Sequence, residues 1–88
     1  MKIIVNLKGF TLAYQVMFID DQEHVTITKS TLKNIPEVVS ELANKYNCNN
    51  VLIYGNKTFA KNIGDNIKNT FSAKFREKEM LNVEIYTK

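Results

Sequence analysis

Cysteine is nearly missing from this chain of 88 residues: Cys48 stands alone, which excludes an internal disulfide framework and suits a reducing compartment. Its expected role is a small apolar filler beside a helix end. Tryptophan is absent, proline occurs once and glycine three times, so neither a fibrous repeat nor a low-complexity linker can be built. The single histidine, His24, stands at the start of a strand and is expected to be an exposed edge residue rather than a ligand or a base. No apolar run reaches the roughly 18 to 20 residues of a bilayer span. "MKIIVNLKGF" breaks at Asn6, Lys8 and Gly9 before a signal-peptide core could form. A cytoplasmic protein without membrane contact is expected.

What is present is an ordinary globular mixture, 44% apolar and 24% charged, in a length that allows one domain over residues 1–88 and one modest core. Asn (11), Lys (11) and Ile (9) dominate, a bias that an AT-rich genome produces through its codons rather than through function. The net charge of +3 is placed unevenly. Residues 1–55 balance five lysines against five acids, so the excess falls in residues 56–88.

Residues 2–7, "KIIVNL", are dense in β-branched side chains and read as a strand. Lys8-Gly9 reads as a tight turn into a second strand over residues 10–19. "DDQE" forms a polar turn, and "HVTITK" (24–29) alternates with period 2, as a half-buried strand does. Ile35, Val38, Val39, Leu42, Ala43 and Tyr46 then recur at helical spacing. Asn34 and Glu37 have capping-box spacing around Pro36, and Asn47 suits a left-handed terminator. "NVLIYG" (50–55) is a short buried strand. Phe59, Ala60, Ile63, Ile67, Phe71 and Phe75 mark a second helix, and "LNVEIYT" alternates as a last strand. Gly64 inside that helix costs about 1 kcal/mol unless close packing requires it.

The order β-β-β-α-β-α-β with right-handed crossovers puts the fourth strand beside the first and the fifth beyond it, giving a mixed sheet of order 3-2-1-4-5 with the second strand antiparallel. Strands 1, 2 and 4 are nearly continuously apolar and strands 3 and 5 alternate, as interior and edge positions demand. Crossovers of one hand put both helices on one face, an α/β fold with the other face bare.

This order, over residues 2–87, resembles the ribonuclease H-like fold, by topology alone. The resemblance implies metal-holding carboxylates in the first strand and near the end of the fourth. Asn6 and the segment Tyr54-Gly55-Asn56 stand there instead, and an amide brings no charge to concentrate Mg²⁺. Asp20, Asp21, Asp65 and Glu84 are spread over different elements, so no metal site, no cofactor and no catalytic residue is expected, and the chain reads as a non-enzyme. "VLIYGNKTF" also resembles the guanine-recognition strand of small GTPases, but Phe59 stands where the base-reading Asp belongs and no phosphate loop exists. Gly55 and Asn56 then serve as turn and helix cap. In size and composition the chain is similar to small proteins of phages of low-GC bacteria.

Two surfaces remain as candidates. Alternation sends Val25, Ile27, Val83 and Ile85 under the helices and leaves Thr26, Thr28, Glu84 and Tyr86 outward. In the sheet centre Ile4 and Asn6, Gln15 and Met17, and Leu52 and Tyr54 also face out. With Tyr86 these form an apolar middle with a polar rim, the anatomy of an interface. The expected function is binding or assembly through that face, as a homodimer or as an accessory subunit to a protein partner. The alternative is nucleic-acid binding by the basic face of the second helix, with Lys57, Lys61 and Lys68 followed by Lys74 and Arg76. A solvated face, with Lys61 and Asp65 paired at i, i+4, competes with that alternative.

Overall fold

The structure is a computed structural model that describes residues 1–8 and 12–87. Five strands form one sheet: β1 (Lys2–Asn6), β2 (Tyr14–Ile19), β3 (Val25–Ser30), β4 (Asn50–Tyr54) and β5 (Asn82–Tyr86), in the order β3-β2-β1-β4-β5. β2 is antiparallel to both its neighbours, while β4 runs parallel to β1 and β5 parallel to β4. The helices are α1 (Ile35–Tyr46) and α2 (Lys57–Lys74). The expected order and both helices are therefore present.

Cross-strand registers make one face continuous. Ile3 and Val5 lie beside Phe18 and Val16 on one side and Val51 and Ile53 on the other. All of these are at most 4% exposed, under Ile35, Val39 and Ala43 of α1 and Ala60, Ile63, Ile67 and Phe71 of α2. α1 packs over β1 and β2, and α2 over β4 and β5, with the helices in contact. At Gly64 α2 packs tightly on the sheet: a Cβ there would lie 3.2 Å from Val83 Cγ1 and 3.4 Å from Ile53 Cδ1. Close packing is thus the reason for that glycine.

Several local expectations are corrected. β1 ends at Asn6 and β2 begins at Tyr14, each shorter than expected; the tight turn expected at Lys8-Gly9 falls on Gly9, which with residues 10–11 lies outside the described residues. The capping box does not form, because Leu32–Asn34 winds a short 3₁₀ turn that holds Asn34 at φ −93°, ψ −6° with no side-chain cap bond. Glu37 instead joins Glu41 in binding the Lys74 ammonium, at 3.1 and 2.9 Å. Asn47 takes the left-handed conformation expected of it, φ 52°, and Asn56 caps α2 by accepting from the Thr58 and Phe59 amides. Gly55 is needed for space rather than for backbone freedom, since a Cβ would meet Leu7 Cβ at 3.0 Å.

Candidate protein interface

The largest correction concerns β3. Ile27 sits opposite Met17 and Val25 opposite Ile19, while Thr26 and Thr28 sit opposite Phe18 and Val16. Val25 and Ile27 therefore belong to the face away from the helices, 52% and 53% exposed, and the threonines to the helix side. Period-2 alternation fixes which residues share a face but not which face is buried. The assignment under the helices assumed that a helix lay above this strand, and α1 stops over β1 and β2. Val83 and Ile85 do lie on the helix side, beside Val51 and Ile53, with Glu84 and Tyr86 on the open side as expected.

The open face has three rows running across the strands. The middle row is Ile27, Met17, Ile4, Leu52 and Glu84, apolar until the β5 edge. One flank begins with Val25 and Ile19 and continues into Lys2. The other is Lys29, Gln15, Asn6, Tyr54 and Tyr86. The register thus brings together Ile4, Asn6, Gln15, Met17, Leu52, Tyr54, Glu84 and Tyr86 as expected, removes Thr26 and Thr28, and adds Val25, Ile19 and Ile27 to the apolar part. The signal for Val25 and Ile27 was visible in the apolar parity of "HVTITK", but the face it belonged to was not.

The polar flank is internally organised. The Tyr54 and Tyr86 rings stack with centroids 5.3 Å apart, and the Lys8 ammonium lies 6.0 Å from the Tyr54 ring. The Tyr86 hydroxyl donates to Glu84 Oε2 at 3.0 Å, and this bond to a carboxylate pushes the phenol's pKa above its ordinary 10.0. Asn6 Oδ1 accepts the Lys8 amide at 3.1 Å. Ile4, Asn6, Lys8, Met17 and Tyr54 line a shallow hollow of about 330 Å³ where the middle row meets the polar flank.

Asn6 is engaged with its own turn and Asn56 with the start of α2. Among the described residues no three of His, Cys, Asp and Glu gather into a metal-binding group. Cys48 is 3% exposed with Sγ turned to the Asn50 carbonyl at 3.8 Å, and no helix of the described residues is long and apolar enough to cross a membrane. His24 is exposed, its Nδ1 3.4 Å from Asp20. Of the basic residues around α2, Lys57 and Lys61 sit exposed on the helix, Lys68 is half-buried, Arg76 lies beyond the helix end, and Lys74 is tied to α1. Glu41, then Glu37, raise the Lys74 pKa above its usual 10.5. Lys61 and Asp65 form no ion pair among the described residues.

The fold and surface together define a two-layer α/β protein, helices on one side and an uncovered sheet on the other. No protein-family model matches the chain, and a search of curated proteins also finds no match.

Proposed function

We propose that this is a small non-catalytic assembly protein that works in the cytoplasm by binding through its open sheet face, as a homodimer or as an accessory subunit of a protein partner. One observation carries this reading: β3 turns Val25 and Ile27, not its threonines, to the side without helices. A solvent-facing sheet side is ordinarily polar, because apolar side chains held in water gain nothing from folding. Here the apolar parity extends from β3 through Met17 and Ile19 to Ile4 and Leu52, one contiguous patch with lysines, amides and tyrosines around it. Patches of that composition mark places where another protein docks.

Sedimentation velocity over a micromolar concentration range tests the self-association arm. The wild type is expected to sediment as a species larger than the monomer that dissociates on dilution. Ile27→Lys, on an already exposed side chain, is expected to give a folded monomer. A wild type monomeric at every concentration removes self-association. If single- or double-stranded DNA or RNA binds with a steep loss of affinity on raising salt, the nucleic-acid reading replaces this one.

A further inference from the structure

The sheet has two edges, and only one of them is defended. Among the described residues, β3 has β2 as its sole neighbour in the sheet. Its pairing with β2 runs without interruption from Val25 to Ser30, so no bulge twists the edge away, and Lys29 is its only charged residue. Neither helix covers it, and its side chains are exposed on both faces from Val25 to Ile27. Such an edge is a template for another extended chain unless proline, charge, a bulge or a covering element blunts it.

The hairpin shows which backbone groups are free. The Asp20 amide donates to the His24 carbonyl at 3.1 Å, which makes that pair a hydrogen-bonded one. Antiparallel pairs alternate, so Thr26, Thr28 and Ser30 aim their N–H and C=O groups at β2, and Val25, Ile27 and Lys29 aim theirs outward.

We infer that two copies of this chain join through β3, antiparallel about a two-fold axis at Ile27, fusing their sheets into one. This rests on the reading of the protein as an assembly module, and it names the partner as a second copy and the contact as the edge rather than the face. The register follows from the free groups. Ile27 exchanges both backbone hydrogen bonds with Ile27 of the second copy, and Val25 does so with Lys29. Thr26 then faces Thr28 of the second copy on the helix side, a pairing that favours antiparallel strands. On the open side the lysine stem covers Val25, and the two apolar middle rows meet end to end at Ile27. The result is a single platform of double width, with the apolar part at its centre and the two Glu84-bearing β5 edges outermost.

The same operation at β5 fails. Its central residue is Glu84, so two-fold antiparallel pairing there sets two carboxylates opposite each other, a destabilising arrangement. Face-to-face stacking of the sheets is the competing way for copies to meet.

Two variants and a cross-link separate these. Lys29→Pro removes an outward N–H that β2 does not use, and is expected to weaken association about tenfold or more with the far-ultraviolet circular dichroism unchanged. Leu52→Lys, in the centre of the face, is expected to leave the edge dimer intact. In a Cys48→Ala background, Ile27→Cys places two thiols on the axis with Cα atoms about 5.5 Å apart, within disulfide reach. Mild oxidation is therefore expected to give a covalent dimer rapidly, and Leu52→Cys is not. The cross-link decides the matter even if Lys29→Pro unfolds. If Leu52→Lys dissociates the dimer and Ile27→Cys cross-links no faster than Leu52→Cys, the copies meet face to face: the edge pairing is overturned and the assembly reading stands. If the wild type is a monomer throughout, the edge pairing and the self-association arm fall together.

Discussion

Ser40 is wholly buried on α1, and its hydroxyl finds no partner among the described residues. An unpaired buried hydroxyl costs about 1 to 3 kcal/mol, and alanine is also the better helix former. Ser40→Ala is therefore expected to stabilise the fold by about 1 kcal/mol, seen as a higher urea midpoint at an unchanged slope. Asp20 has the opposite character. Its Oδ1 accepts the amides of Gln22 and His24, each at 2.9 Å, and holds together a turn in which Glu23 takes a left-handed φ of 64°. The His24 amide, then Gln22 and the His24 ring, lower the Asp20 pKa from its usual 3.8. A carboxylate depressed in the folded state stabilises it above the unfolded pKa, and that contribution is lost as pH falls through the folded value. In thermal melts taken from about pH 5 down to about pH 3, Asp20→Asn is expected to lose less stability than the wild type. An equal acid-side fall in both proteins would show that this turn does not titrate with folding.

At the scale of elements, what could be read from the sequence depended on whether the deciding contacts were local. α2 is the clear success: its apolar spacing, its cap Asn56 and its length all lie within a single stretch. The Asn56 side chain accepts two otherwise unpartnered amides at 3.0 and 3.2 Å. Asn56→Ala should therefore lower the unfolding free energy by about 1 kcal/mol in chemical denaturation, whereas Asn56→Ser should be nearly silent. Asn34 and Glu37 show the limit. Their spacing fits a capping box, but the chain leaving β3 winds a 3₁₀ turn first, and Glu37 finds a better partner in Lys74, distant in sequence. β3 shows it again. "HVTITK" announced a strand and its two sides, but the side that is buried depends on how far α1 reaches across the sheet, and no residue of β3 encodes that. Gly55 was read as a turn residue because the crowding by Leu7 comes from the chain just beyond β1, distant in sequence.

The molecule as a whole has the strand order that element order and right-handed crossovers deliver, and apolar parity supported it because interior strands must be apolar on both sides and edge strands need not be. The candidate surface was legible in its centre, at Ile4, Met17 and Leu52, for the same reason. Its extension onto Val25 and Ile27 was hidden, and that extension moves the weight of the surface from the middle of the sheet to the β3 edge. Two features that look independent, apolar side chains on the open side of β3 and an undefended backbone along it, would share one explanation in the proposed pairing with a second copy of the chain.

Hydrogen exchange at single amides of β3, followed while the protein is diluted, tests that claim most directly. The outward amides of Val25, Ile27 and Lys29 are expected to be protected in concentrated solution and to lose protection on dilution, while those of Thr26 and Thr28, bonded to β2, stay protected throughout. Outward amides that exchange freely at every concentration would contradict the account, since nothing would then be lying against the β3 edge.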